Sequence, residues 1–145
     1  MRILTIGFTH KSAEQFFGAL EHAGTRTVVD IRLHNTSQLA GFAKRDDLRF
    51  FLDRVAGIGY RHEALLAPTE EILTGYQKKA ITWADYEEQF DALLRERVVE
   101  SRLDPAKLDD ACLLCSEAKP DQCHRRLVAE YLKEHWESVE IVHLV

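Results

Sequence analysis

Short runs of β-branched and aliphatic residues alternate along the chain with longer stretches of helical period, and this alternation constrains the fold most. The strand-like runs lie at 2–6, 27–31, 59–63, 111–115 and 139–145, and apolar residues at helical spacing fill most of the intervening sequence. Such alternation predicts crossover connections and a mostly parallel sheet. The predicted fold class is therefore α/β, a three-layer sandwich with about five strands between two layers of helices.

Capping signals mark where several helices begin. Segments 12–15 and 82–85 each have the spacing of a capping box, in which the side chains of the first and last residue bond to backbone N–H groups. Asp121, which follows Pro120, has a side chain suited to an N-cap. The sequence thus predicts that Asp121 caps the last helix and that Cys123 lies in the first turn of that helix.

Composition limits the partners and the location that we expect. The chain has 145 residues, of which 46% are hydrophobic, enough for one globular core, so we expect a single α/β domain over residues 1–145. The formal net charge of −5 gives no strong nucleic-acid signal, because such a field repels phosphate polymers. The opening MRILTIGFTH has no long apolar leader and no window approaches about 18 apolar residues, so we expect a cytoplasmic protein without a membrane span.

Most of the chemically reactive side chains fall just after predicted strands. Ligands of open parallel sheets bind beyond the carboxyl ends of the strands, which selects the loops at 7–12, 30–37, 63–69 and 116–122. A Rossmann-like order of 3-2-1-4-5 would bring the ends of strands one, two and four together, whereas 2-1-3-4-5 would separate them. The clustering of reactive residues in these loops favours the Rossmann-like order.

Three cysteines are an odd number, which argues against a disulfide framework. Cys112 and Cys115 have C-x-x-C spacing, but on a strand this spacing places the two side chains on opposite faces, so they are not a redox pair. We expect Cys112 in the core and Cys115 at the exit of its strand. Near a helix N-terminus, with Arg125 and Arg126 close in sequence, Cys123 is predicted to have the more strongly lowered pKa, and Cys115 a smaller lowering.

Three sequence patterns resemble a known protein family. They are TIGFTHKS at 5–12, VVDIR at 28–32 and CSEAKPDQCHR at 115–125, and they match a T-I-G-x-[ST]-x-x-S opening, a V-D-[IV]-R strand and a C-x-E-x₅-C-H-R segment. In this order the patterns resemble the domain of unknown function 488 family, which implies a compact α/β domain but no reaction. The chain departs from that family at Phe8 to His10, where many relatives carry His followed by Ser or Thr. The resemblance implies a site made of Thr5, Gly7, Thr9, Asp30, Arg32, Cys115, Glu117, Cys123, His124 and Arg125.

The first functional hypothesis is an enzyme that acts on a small anionic or nucleotide-like substrate. Two thiols, an imidazole, a guanidinium and a carboxylate around a helix N-terminus can supply a nucleophile, an acid or base and an anion-binding group. The expected catalytic residues are Cys115, Glu117, Cys123, His124 and Asp30, and the expected substrate-binding residues are Gly7, Thr9, His10, Arg32 and Arg125. The residue six positions after Cys115 is Asp121 rather than arginine, so the sequence does not predict the C-x₅-R phosphate loop of phosphatases or rhodanese chemistry.

Two other classes of function remain open. Cys115, Cys123 and His124, with His10 as an optional fourth ligand, offer the sulfur and nitrogen atoms of a zinc or iron site, although their spacing is not that of a zinc ribbon or finger. A non-catalytic module could instead bind a phosphate, a nucleotide or a partner at the helix N-terminus, with the thiols serving only as packing. The sequence identifies neither the metal, if any, nor a cofactor, nor the oligomeric state.

Several of these residues also have a purely structural interpretation. Asp30 and Arg32 lie two apart on a strand and could form a buried ion pair that organises the following loop. His10 could be an exposed turn residue, and His34 has no neighbour at ligand spacing and is interpreted as a surface or core histidine. Trp83, Tyr86 and Phe90 share a helix face and are interpreted as core packing.

Overall fold

The computed structural model describes residues 1–36 and 41–145. Its five strands form one sheet in which every pairing is parallel, as the alternation of strand and helix patterns predicts. The strands are β1 (Arg2–Gly7), β2 (Thr27–Asp30), β3 (Gly59–His62), β4 (Ala111–Cys115) and β5 (Glu140–Leu144). The α/β class with a parallel, five-stranded sheet is confirmed.

The Rossmann-like strand order is wrong, because the observed order is β3-β2-β4-β1-β5. All five residues of β4 are buried, and this strand takes the centre of the sheet between β2 and β1. β5 is only partly buried and takes an edge. The ends of β1, β2 and β4 still meet, because Gly7 pairs with Cys115 and Asp30 pairs with Leu114.

Helices cover both faces of this sheet. They are α1 (Ala13–His22), α2 (Arg45–Phe51), α3 (Glu70–Gln77), α4 (Trp83–Arg97), α5 (Val99–Arg102), α6 (Pro105–Leu108) and α7 (His124–His135). A π-helical turn (Leu52–Ala56) extends α2, and 3₁₀ turns occupy Gly41–Ala43 and Ala64–Leu66. The predicted capping boxes at 12–15 and 82–85 form at the starts of α1 and α4.

Alternate residues of the strands belong to two separate hydrophobic cores, one on each face of the sheet. Val28 and Leu114 pack with α1 and α2 on one face, whereas Val29 and Leu113 pack with α4 and α7 on the other. These four residues and Ile31 are fully buried, as the sequence predicts. The two cores and the sheet between them make the predicted three-layer arrangement, in which Cys112 belongs to the α1 and α2 side.

The start of α7 differs from the prediction. Cys123, rather than Asp121, is the N-cap residue, with an extended backbone (φ −139°, ψ 138°), and Asp121 is exposed in the preceding turn. The N–H of Cys123 donates to the carbonyl of Pro120 at 3.2 Å, so this turn rather than a carboxylate determines where the helix begins. Cys123 therefore lies outside the first helical turn.

None of the helices in the described ranges combines the length and the apolar character needed to cross a bilayer.

Candidate functional site

A short loop after β4, residues 115–118, is the centre of the candidate site, and we call it the cysteine loop. Thr9, in the turn after β1, holds this loop through two hydrogen bonds: its N–H and its Oγ1 both donate to the carbonyl of Ser116, at 3.0 and 2.6 Å. Gly7 lies directly against the same loop, because a Cβ on this residue would overlap the carbonyl oxygen of Glu117. The opening motif thus positions the cysteine loop beside the end of β1.

Arg125, in the first turn of α7, holds the cysteine loop through hydrogen bonds to its backbone. Its Nη1 donates to the carbonyl of Glu117 and, at 3.3 Å, to Sγ of Cys123, and its Nη2 donates to the carbonyl of Ala118 at 3.4 Å. The side chain is 0% exposed, and it has no carboxylate partner among residues 1–36 and 41–145. Because a buried cation requires a compensating charge, a thiolate is the anion that this environment favours.

Cys115 and His124 are in direct contact. Sγ of Cys115 lies 3.2 Å from Nδ1 of His124. The other ring nitrogen, Nε2, lies 2.7 Å from the carbonyl oxygen of Ile31, and since a carbonyl only accepts, Nε2 carries a proton. Nδ1 is therefore free to take the proton of the Cys115 thiol, and the resulting imidazolium would donate back to the thiolate. The ring of Phe90, edge-on at 5.4 Å between centroids, fixes the orientation of the imidazole.

The thiol with the lowered pKa is Cys115 and not Cys123, so the sequence prediction is wrong on this point. A hydrogen bond from the Cys123 thiol, aided by the backbone N–H groups of Ser116 and Glu117 and the charge of Arg125, lowers the pKa of Cys115 although burial opposes this. Burial, followed by donation to Cys115, raises the pKa of Cys123. Burial of Cys123 explains the reversal, because it is the largest cause of the raised pKa of this thiol. Burial also raises the pKa of Cys112, which agrees with the expected inert thiol.

A cleft of about 260 Å³ opens at this edge of the sheet. It is lined by Arg32, Leu33, His34, Pro68, Leu73, Tyr76, Gln77, Trp83, Tyr86, Cys115, Ser116, Glu117, Gln122, Cys123 and His124. Five of the sequence-predicted site residues are in this lining: Arg32, Cys115, Glu117, Cys123 and His124. The other six are not. Gly7, Thr9 and Arg125 hold the cysteine loop, and Asp30 is buried behind Arg32. Thr5 is buried on β1, with Oγ1 2.6 Å from Nδ1 of His143, and His10 is exposed in the turn after β1 with φ at 62°.

Three aromatic residues of the cleft were not identified as site residues from the sequence, and we call them the aromatic wall (Tyr76, Trp83 and Tyr86). Trp83 stacks on Tyr86 with centroids 4.8 Å apart, and Tyr76 contacts both rings. The spacing of Trp83 and Tyr86 on α4 also fits core packing, and Phe90 on the same helix does serve that role. Only the placement of the first turn of α4 over the strand ends shows that Trp83 and Tyr86 face the cleft.

His34 was also assigned no site role from sequence, yet it lines the cleft. Its Nε2 lies 2.7 Å from the carboxylate of Glu70 at the start of α3, a partner 36 residues away in the chain. No local spacing could have indicated this pair. His34 and Glu70 therefore connect the loop after β2 to the helix that follows β3.

Asp30 and Arg32 form the buried ion pair of the structural interpretation. Nε and Nη2 of Arg32 donate to the two carboxylate oxygens of Asp30 at 2.9 and 2.8 Å, and Tyr60 donates to the same carboxylate at 2.6 Å. Arg32 also donates to the carbonyl of Ala43 at 2.7 Å, while its buried Nη1 has no hydrogen-bond partner in the described ranges. Ser37, the end of this predicted loop, lies outside the described residues.

The lowered pKa of Asp30 leads us to expect that the free energy of unfolding falls in acid. Burial raises the pKa of this carboxyl, but hydrogen bonds and charge from Arg32, with the Tyr60 hydroxyl, lower it by more, so the net direction is down. A carboxyl with a lowered pKa in the folded state contributes stability above its unfolded pKa of about 3.9, and this contribution is lost as the pH falls through the folded value. Urea unfolding from pH 7 to pH 3 should show this decline, and Asp30→Asn should be less stable at pH 7 and lose less on acidification. An equal acid dependence in both proteins would contradict the assignment.

Cys115, Cys123 and His124 also have the arrangement of potential metal ligands. The two sulfurs and one ring nitrogen all lie within 4.8 Å of one another, and all three residues are buried. Bonds of about 2.3 Å to sulfur and about 2.0 Å to nitrogen in a tetrahedral zinc site place ligand atoms at comparable separations. The proton that His124 gives to Ile31 would also orient its ring for a metal at Nδ1.

The chain was compared with known proteins. Residues 12–132 match the family model described as "Domain of unknown function DUF488". The matched range includes the whole segment from β2 to most of α7, and with it Cys115, Cys123 and His124. No curated protein matches the chain, and no solved structure does.

Proposed function

The chain belongs to the DUF488 family, and we propose that it is an enzyme in which Cys115 acts as a nucleophile on a small anionic or nucleotide-like substrate. The observation that carries this proposal is the contact between Cys115 and His124 at the cleft, with the far nitrogen of the ring fixed by Ile31. A thiol needs a positioned base and a stabilised thiolate to become reactive at neutral pH. Both are present around Cys115.

The expected chemistry begins with proton transfer from Cys115 to Nδ1 of His124. The thiolate that remains accepts hydrogen bonds from Cys123 and from the backbone N–H groups of Ser116 and Glu117, while Arg125 balances its charge. After attack on the substrate, the imidazolium can return its proton to the leaving group. The carboxylate of Glu117 lines the same cleft and has no ion-pair partner in the described part of the chain, so it is the second candidate for proton transfer.

The lining of the cleft supports a substrate with two different parts. The aromatic wall offers flat apolar surface for a ring or another planar group. Arg32 lies on the cleft, and its positive charge favours an anionic group there although Asp30 already pairs with it. Asp30 contributes by fixing this guanidinium. A ring joined to an anionic group is the substrate class that fits both surfaces.

Comparative turnover of small molecules tests this proposal. Wild-type protein, Cys115→Ser and the control Cys112→Ser are each incubated with the small-molecule fraction of a cell extract, and the remaining compounds are measured by mass spectrometry. We expect an anionic compound to be consumed by wild type and Cys112→Ser but not by Cys115→Ser. Consumption that survives in Cys115→Ser would exclude this nucleophile. Binding without consumption, retained when Cys115 and Cys123 are both serine, would instead support a non-catalytic binding module.

A metal centre at Cys115, Cys123 and His124 is the second candidate, favoured by the closeness of their ligand atoms. The net charge around Arg125 does not separate the two candidates, because a thiolate with the imidazolium of His124 and a divalent ion with two thiolates leave the same balance. We rank the thiol enzyme first because this chain itself supplies both the base at Nδ1 of His124 and the donors to Cys115.

Elemental analysis separates these two candidates. A metal centre should hold about one zinc or iron per chain. The metal should disappear in Cys123→Ser, because this variant lacks one of the three proposed ligands. The thiol mechanism predicts metal content well below one equivalent, and the same content in Cys123→Ser and in the control Cys112→Ser. Stoichiometric metal that depends on Cys123 would make the metal centre the correct account.

A further inference from the structure

Two sulfur atoms of the cleft lie side by side, and the proposed mechanism uses only one of them as a nucleophile. The Sγ atoms of Cys115 and Cys123 lie within 4.8 Å of each other. Both residues line the cleft, which gives small molecules a route to them. The third cysteine, Cys112, is 0% exposed and belongs to the core on the opposite face of the sheet. The chain therefore pairs one accessible cysteine with one neighbour and isolates the third.

We infer that Cys115 and Cys123 form a reversible disulfide through which the protein reduces hydroperoxides, with Cys115 as the attacking thiol and Cys123 as the resolving thiol. This activity goes beyond the proposed function and rests on it only in using Cys115 as the nucleophile. It needs a small thiol as the reductant that restores the starting state. The separation of the two sulfurs, within 4.8 Å, and their common place in the lining of the cleft carry the inference.

The first step oxidises Cys115 by two electrons. Its thiolate attacks the terminal oxygen of a hydroperoxide, so that the S–O bond forms, the O–O bond breaks, and the alkoxide that leaves takes a proton to become an alcohol. The proton on Nδ1 of His124, received from the Cys115 thiol, is placed to be that proton. The product is a sulfenic acid at Cys115.

In the second step Cys123 attacks the sulfenic sulfur of Cys115. The S–S bond forms and the S–O bond breaks, and the hydroxide that leaves combines with the thiol proton of Cys123 to give water. Two molecules of the external thiol then reduce the disulfide and become oxidised to a disulfide themselves. Attack by Cys123 needs rotation of two side chains whose sulfurs already lie within 4.8 Å, whereas Cys112 lies on the other face of the sheet and cannot reach Cys115.

The environment of Arg125 favours easy reduction of this disulfide. Nη1 of Arg125 donates to Sγ of Cys123 at 3.3 Å, and a thiol or thiolate sulfur accepts such a bond better than a disulfide sulfur does. Interactions that stabilise the reduced form make the disulfide more oxidising. Glutathione-type thiols are therefore a sufficient class of reductant.

Treatment with hydrogen peroxide tests the inference on the intact chain. The reduced protein receives about one equivalent of peroxide, the remaining thiols are alkylated, and the protein is cleaved after Glu117, which separates Cys123 from the two cysteines of β4. We expect a disulfide-linked pair of peptides that tandem mass spectrometry assigns to Cys115 and Cys123, with Cys112 alkylated. Reduction with glutathione should abolish the link and restore consumption of peroxide. Absence of the link, with Cys115 instead oxidised to sulfinic acid, would overturn the inference.

Three variants complete this experiment. Cys123→Ser should accumulate sulfenic acid at Cys115, trapped by dimedone, Cys115→Ser should leave Cys123 unoxidised over the same time, and Cys112→Ser should behave as wild type. Oxidation of Cys123 at the wild-type rate in Cys115→Ser would also refute the assigned roles. If Cys115 is readily alkylated but no link forms, the disulfide fails while the proposed nucleophile survives, and an unreactive Cys115 would refute both.

Discussion

Replacement of Arg125 by methionine is expected to lower the free energy of unfolding by about 3 kcal/mol, because it removes a fully buried side chain that donates to two partly buried carbonyls of the cysteine loop. Arg125 supplies hydrogen bonds to the carbonyls of Glu117 and Ala118, and its side chain is fully buried. The same change removes a positive charge that lowers the pKa of Cys115, so alkylation of that thiol at pH 7 should slow. Urea unfolding and residue-resolved alkylation measure the two effects.

Arg126→Met is the matched control for this substitution. It removes an identical charge one residue further along α7, but Arg126 pairs with carboxylates of Glu87 and Glu130 at a partly exposed site. Such pairs contribute little, so we expect a loss of at most about 1 kcal/mol and unchanged alkylation of Cys115. Equal effects of the two substitutions would show that Arg125 has no special role. Arg125→Lys, which keeps the charge but not the paired donors, should recover part of the reactivity.

Gly7→Ala is expected to destabilise the protein by about 3 kcal/mol and to displace the cysteine loop. The added Cβ would overlap the carbonyl of Glu117 and would approach Nη1 of Arg125 to 2.8 Å. Backbone has to move, since neither group can rotate away without losing its hydrogen bond. Because this movement changes the position of the N–H groups that face Cys115, alkylation of Cys115 should fall with stability. Thermal and urea unfolding, followed by alkylation of the folded protein, check both results.

Gly18→Ala provides the control for the glycine substitution. Gly18 lies inside α1, and a Cβ there would meet no atom within 4 Å. Alanine is favoured over glycine in a helix, so the expected change is a gain of about 0.5–1 kcal/mol with no effect on Cys115. A Gly7→Ala protein as stable as wild type would contradict the close approach of β1 to the cysteine loop.

The elements of this fold could be predicted from local sequence, because their signals are local. Strand β4 was predicted at its observed bounds, since a short apolar run between polar segments has few other places in an α/β protein. The capping boxes at 12–15 and 82–85 depend only on side chains three residues apart. Burial of Cys112 on the opposite face from Cys115 follows from the two-residue period of a strand.

The strand order and the reactive thiol depend on long-range contacts and could not be predicted in this way. Strand β4 lies between β2 and β1 and is fully buried there. The sequence pattern fits both this order and the predicted order 3-2-1-4-5, because both bring the ends of β1, β2 and β4 together. The N-cap was assigned to Asp121 on side-chain preference, whereas the turn from Pro120 to Cys123 determines the start of α7. The burial that raises the pKa of Cys123 likewise comes from packing that the local sequence does not show.

The aromatic wall shows a third limit of sequence analysis. Trp83 and Tyr86 have the spacing of helix residues that pack inward, and Tyr86 is indeed buried. Residues with this pattern also line a cleft when their helix begins above the ends of the strands, as α4 does. Only the three-dimensional arrangement distinguishes the two roles, because the local sequence is the same in both.

The alkylation rate of each cysteine as a function of pH tests the central claim most directly. Wild-type protein is treated with iodoacetamide between pH 5 and pH 10, and mass spectrometry follows Cys112, Cys115 and Cys123 separately. We predict that Cys115 reacts fastest, with a midpoint below the free-thiol pKa of about 8.5, and that the other two react slowly at neutral pH. Faster reaction at Cys123, or equally slow reaction at all three thiols, would contradict the assignment of Cys115 as the nucleophile.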